Sequence, residues 1–118
     1  MNYLETIFRV KKPIIGMIHL AGINSEERKE RASREIDIYL EEGVDGIIVE
    51  NYHGTTDDIR NVLNELPKVL MEIVGINCLG NFSQSFKIAR EYGARFIQID
   101  SVQDKDLNLD KYHLWKNW

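Results

Sequence analysis

Cysteine is nearly absent from this chain. Cys78 stands alone among 118 residues, so no disulfide can close within it, which fits a reducing compartment. Only two prolines occur, and both fall where elements should begin or end. Pro13 suits the first residue of a strand because it has no N–H to donate. Pro67 is expected to end or kink a helix. No apolar run approaches the ~20 residues that span a bilayer. Met1–Lys12 lacks the apolar core and small-residue cleavage site of a signal peptide. The expectation is a cytoplasmic protein, with peripheral membrane attachment left open. Basic charge is not in excess: the net charge of −4 argues against a nucleic-acid partner. The basic residues of Arg28–Arg34 alternate with acids, as on a solvated helix face. Also missing are a GxGxxG after a strand, a GxxxxGK[ST] loop and a GxSxG elbow.

What is present is a recurring pattern. Four apolar runs, Ile14–Ile18, Gly46–Val49, Ile73–Ile76 and Phe96–Ile99, each end on or beside a polar group. Those groups are His19, Glu50 with Asn51, Asn77, and Asp100. Apolar runs without alternation are typical of strands covered on both faces. In a parallel α/β sheet or barrel the strands' C-terminal ends share one edge, so these side chains should converge on one rim.

Helical patterns separate the runs. Asn24 with Glu27 has the form of a capping box, opening a helix that extends to about Glu42 and stops at Gly43. Its buried stripe is expected to be Ala32, Ile36, Tyr39 and Leu40. Thr55 or Thr56 should cap the next helix, with Ile59, Val62, Leu63 and Leu66 turned inward. Ser83 should cap a third, with Phe86, Ala89 and the stem of Arg90 inside and Gly93 at its end. The strands are expected over Ile14–Ile18, Val44–Val49, Glu72–Ile76 and Ala94–Ile99. The order is β-α-β-α-β-α-β. Gly16, inside the first strand, marks a close approach by either a packed neighbour or a ligand. No linker or domain boundary is visible, so residues 1–118 read as one domain with an atypical end over 101–118.

Four segments carry a family resemblance. They are Pro13–Leu20 (PIIGMIHL), Gly43–Asn51 (GVDGIIVEN), Gly75–Asn81 (GINCLGN) and Gly93–Asp100 (GARFIQID). In this order they resemble the BtpA family of barrel proteins, over about Lys12 to Ser101. The resemblance implies a TIM-type barrel related to barrels that bind ribose-phosphate compounds. The family's best-known member is named for a role in photosystem I assembly. A complete barrel has eight strands and ~250 residues, whereas four βα units are visible here. The expectation is therefore a half barrel or truncated barrel. Phosphate sites in such barrels commonly use the loops after strands 7 and 8, so none is carried over.

The candidate catalytic residues are His19, Glu50 and Asp100. A histidine at a strand end can exchange protons near neutral pH, and a carboxylate on the next strand end can orient it. Asn51 and Asn77 are candidate ligand-binding groups, because a carboxamide both donates to and accepts from hydroxyls. The plainer alternative for each is a hydrogen bond to loop backbone. No metal site is expected, because no compact ligand spacing such as H-x-x-x-H is present. No cofactor can be named. Cys78 beside a core strand reads as an inert small hydrophobe, and His53 as an exposed loop residue.

Two readings stay open. One is an enzyme acting on a small sugar, nucleoside or ribose-phosphate compound. The other is a non-catalytic assembly protein or an inactive remnant. Both imply self-association: open strand edges invite pairing, and the sheet's interior face, including Ile15, Ile48 and Ile97, would lie uncovered.

Overall fold

The computed structural model describes residues 3–100. The expected atypical end at 101–118 lies outside the described residues. The elements run α1 (Tyr3–Phe8), β1 (Ile15–Ile18), α2 (Ser25–Glu41), β2 (Gly46–Glu50), α3 (Thr56–Glu65), a 3₁₀ turn (Lys68–Ile73), β3 (Val74–Asn77), α4 (Phe82–Tyr92) and β4 (Phe96–Ile97). The strands form one parallel sheet in the order β1-β2-β3-β4. A doubly wound sheet reverses its strand order at a switch point. Here each strand lies beside the next without reversal, as in half of a βα barrel.

The register separates two faces. Gly16, Ile47 and Val74 lie in one row, and Ile18, Val49, Ile76 and Ile97 in the next. These rows face the helices. Ile18, Ile47, Val49, Val74 and Ile76 form one buried cluster with Ala32 and Ile36 of α2, Ile59, Val62 and Leu63 of α3, and Ile88 and Ala89 of α4. The opposite face carries Ile15, Met17, Ile48, Glu50, Asn77, Phe96 and Gln98 by strict alternation. In a closed barrel that face would be the interior.

Several local expectations hold. Asn24 caps α2, accepting from the Glu27 amide at 2.8 Å. Thr55 caps α3 in a complete capping box with Asp58. Gly43 and Gly93 end α2 and α4 in the left-handed region, at φ 78° and 74°.

Others are corrected. The Glu27 carboxylate reaches back to the Ile23 amide, at 3.4 Å, and not to its own cap. Leu40 is exposed, because the stripe at 32, 36 and 39 already fills the width of α2 that faces the sheet. Asn81, not Ser83, is the N-cap of α4, and the inner face is Ser85, Ile88 and Ala89. Phe86 is half-buried and Arg90 exposed, because the helical period places them on the flank. The fourth strand shrinks to Phe96–Ile97.

The interior face is less open than expected. Helix α1, which no sequence pattern announced, lays Phe8 over it. The Phe8 and Phe96 rings meet edge to face at 5.2 Å. Gly46 and Gly75 make room for them: a Cβ there would lie 2.5 Å from the Phe8 ring and 2.3 Å from the Phe96 ring. Ile48 is buried, and Ile97 belongs to the helix side, where it packs against the core.

Gly16 resolves to packing. A Cβ there would lie 2.7 Å from the Tyr39 ring. That ring cannot easily yield, because its hydroxyl donates to the Met17 carbonyl at 3.0 Å. Gly16→Ala is expected to destabilise the fold by about 1–3 kcal/mol, the usual range for overpacking. A urea-unfolding midpoint unchanged from the parent chain would contradict this packing.

Candidate functional site

The register that builds the sheet also builds the rim. Glu50 and Asn77 are paired across β2 and β3, so their side chains leave the same face at the same height. The Asn77 amide donates to Glu50 Oε2 at 2.9 Å and to Gln98 Oε1 at 3.1 Å. A carboxylate and two carboxamides thus form a line across three strand ends. Glu50 and Asn77 are buried, at 7% and 1% exposure.

His19 follows β1 on the same face. Its Nε2 lies 3.6 Å from Glu50 Oε1, with the imidazole half exposed and the carboxylate nearly covered. The chain turns sharply behind it: Leu20 takes φ 59°, a conformation uncommon for residues with a Cβ. Burial of the Leu20 side chain, at 1% exposure, holds that turn. The His19 carbonyl accepts from the His53 amide at 3.0 Å, which ties the end of β1 to the β2–α3 loop. Tyr52 and His53 therefore stand beside His19. The ring centroids are 5.4 Å apart for His19–Tyr52, 6.5 Å for His19–His53 and 4.6 Å for Tyr52–His53. Arg28 reinforces the same two loops by donating to the Gly22 carbonyl and to Asp58.

The candidates fare differently. His19, Glu50 and Asn77 are brought together. Asn51 turns its carboxamide oxygen to the Leu79 amide at 2.7 Å, tying the loops after β2 and β3 together. Asp100 is exposed and has no contact with His19 or Glu50 among the described residues. His53 is exposed, as expected, yet neighbours His19. Cys78 is buried, and burial pushes its thiol pKa up. Its amide donates to the Ser85 hydroxyl, which explains why a serine occupies the inner face of α4. Among the described residues no three His, Cys, Asp or Glu side chains gather to hold a metal ion.

Tyr52 and Gln98 escaped the sequence reading. A signal for Gln98 existed: Phe96 and Gln98 repeat the spacing of Gly75 and Asn77, and Phe96 pairs with Gly75. Tyr52 offered none, since only the loop's path brings its ring to His19.

Chemically, the rim sets a fixed carboxylate beside an exposed imidazole. The imidazole can hold or pass a proton, and the carboxylate can accept hydrogen bonds from hydroxyl or amine groups. The sheet order, the layer of α2, α3 and α4 on one face and this C-terminal rim define the class: a half barrel of βα units.

Sequence comparison finds similar proteins. The chain is 30% identical over 120 residues to the photosystem I biogenesis protein BtpA of Synechocystis sp. (strain ATCC 27184 / PCC 6803 / Kazusa), a match covering 85% of this chain and 42% of that protein. It is 34% identical over 110 residues to an uncharacterized protein of Pyrococcus furiosus, covering 76% of this chain and 42% of the relative. The chain is BtpA-like over the stretch it spans, which is less than half the length of these relatives. No family model matches the chain, and no solved structure does. Among the described residues no helix is long and apolar enough to cross a membrane.

Proposed function

We propose that this chain supplies four βα units of a TIM-type barrel, as one partial domain, in a cytoplasmic protein that binds a small molecule at the C-terminal rim. The observation that carries this reading is the buried Glu50 carboxylate, held by Asn77 and 3.6 Å from the half-exposed His19. Barrels of this type place their ligand sites at the C-terminal ends of the strands, where these two side chains stand. His19 is the proposed acid–base group, Glu50 its partner, and Asn77 the group that orients Glu50. Asp100 enters this proposal as a second carboxylate on the ligand's far side. Asn51 enters it as a ligand-binding carboxamide that shares its oxygen with the loop.

The proposal includes association. The outer edges of β1 and β4 are unpaired among the described residues, and free edges seek strands. A second copy that docks edge to edge would continue the sheet around the rim. Light scattering over a concentration series is expected to give a dimer. A monodisperse monomer would remove this part of the proposal.

The printed name of the Synechocystis relative, a photosystem I biogenesis protein, favours a second reading, that of a non-catalytic assembly protein. Titration of the chain with small ligands, followed at the His19 and Tyr52 ring resonances, separates the two. Saturable shifts that His19→Ala abolishes are expected for a ligand site, and unresponsive rings would favour the assembly role.

A further inference from the structure

The rim also indicates what kind of ligand this half of the barrel would hold. The residues at the strand ends and just beyond are His19-Leu20, Glu50-Asn51-Tyr52-His53, Asn77-Cys78-Leu79-Gly80 and Gln98-Ile99-Asp100. None is a lysine or arginine. Arg28, which braces the neighbouring loops, is engaged by Asp58 at 3.1 Å and by the Gly22 carbonyl. An anionic group placed here would meet the Glu50 carboxylate with no lysine or arginine among these residues to offset the repulsion.

The separation of His19 and Glu50 has a further meaning. At 3.6 Å, Nε2 and Oε1 are too far apart for a good hydrogen bond. One hydroxyl oxygen placed about 2.8 Å from both fits between them at the apex of a triangle. It would donate its proton to the carboxylate and accept from the imidazole N–H. A hydroxyl suits this place because it is both donor and acceptor. The next polar position along the rim is Gln98. Its carboxamide oxygen is taken by Asn77, while its NH₂ group has no partner among the described residues. That leaves a donor free for a second ligand oxygen. Tyr52 and His53, exposed and in mutual edge-to-face contact, form an aromatic wall against which the apolar C–H face of a ring can lie.

Resting on the proposed small-molecule site, we infer that the Glu50–His19 pair holds one hydroxyl of a neutral polyol, as on a sugar ring, and that this half of the rim rejects the anionic end of any ligand. The inference concerns recognition and involves no covalent step.

The test uses the chain with isotope-labelled histidine and tyrosine, and three probes: D-ribose, inorganic phosphate and ethylammonium. Ribose is expected to shift the His19 and Tyr52 signals saturably in the millimolar range, and phosphate to leave them unmoved at equal ionic strength. Glu50→Gln should weaken ribose binding by at least about tenfold, because hydrogen bonds to a charged acceptor are the stronger class. His19→Ala, at a half-exposed position that does not endanger folding, should weaken it similarly. Saturable shifts with phosphate or ethylammonium, but not ribose, would overturn the hydroxyl assignment while upholding a small-molecule rim. No response to any probe, in a chain whose melting curve shows it folded, would overturn both. Ribose binding that survives both substitutions unchanged would place the ligand elsewhere and overturn the assignment to Glu50 and His19.

Discussion

Replacing Ile76 with alanine is expected to remove about 2–5 kcal/mol of stability. Ile76 is fully buried in the helix-facing row of β3. Val49 flanks it on β2 and Ile97 on β4. Its side chain thus sits where the sheet meets the helix layer, and truncation leaves a cavity enclosed on several sides. The backbone around it cannot readily collapse, because the Ile76 carbonyl already holds the Gln98 amide at 3.0 Å. Since a domain of this size is stable by only about 5–15 kcal/mol, the loss is a large share of the total. Ile38→Ala is the matched control: that side chain is 57% exposed on α2, and its loss is expected to fall within about 0.5 kcal/mol. Urea unfolding of the two variants checks the contrast. Equal midpoints would mean that the helix layer does not pack on the sheet as described.

Asp58→Ala is expected to cost about 2–4 kcal/mol, from the lost reciprocal half of a capping box and a broken ion pair. The Asp58 carboxylate is 1% exposed and serves three partners through Oδ2. It accepts from the Thr55 amide at 2.9 Å, the Thr55 hydroxyl at 3.1 Å and the Arg28 guanidinium at 3.1 Å. Thr55 returns the favour by accepting from the Asp58 amide. Removing the carboxylate breaks the reciprocal half of the α3 capping box, leaving Thr55 on the Asp58 amide, and frees Arg28, whose 21% exposure lets water recover part of the loss.

The same carboxylate makes stability depend on pH. Burial pushes its pKa up, but the Ser25 hydroxyl, the Thr55 amide and hydroxyl, and the Arg28 charge more than offset this, so the pKa ends below the ordinary aspartate value. The contribution of Ser25 comes from proximity, since Oδ1 receives no hydrogen bond of good geometry. A lowered folded pKa means that the stabilisation is complete above the unfolded value, about 3.9, and is lost as pH falls through the folded one. Asp58→Asn keeps the size and removes the charge. It should flatten the decline in stability below about pH 4, and an unchanged acid limb would show that other carboxylates dominate it.

Much of the rim was legible before the fold was known. His19, Glu50 and Asn77 each close an apolar run, and parallel strands place such ends on one edge. What the pattern left open was which of these ends face each other. Asn51 directly follows Glu50, yet alternation turns it toward the next loop, where Leu79 engages it. Asp100 follows an apolar run as convincingly as the others. It stands apart because β4 pairs with β3 over only Phe96 and Ile97, and strand length depends on the partner's register as much as on the strand's own residues. That shortening also brought Gln98 to the rim in its place.

The residues alone determined the alternation of helix and strand, the cap at Asn24, a threonine cap at 55 or 56, the glycine stops and the run-ending polar groups. All of these are local: each follows from dihedral preference, side-chain capping or hydrophobic period within a few positions. The tertiary structure decided the sheet order, the side of the sheet on which Ile97 lies, the seating of Phe8 and Phe96 over Gly46 and Gly75, and the meeting of His19 with Tyr52. These depend on which surfaces meet across tens of residues, and no local period encodes that choice. The 3.6 Å gap between His19 and Glu50 belongs to the second group: two strands had to be set side by side in register before it existed.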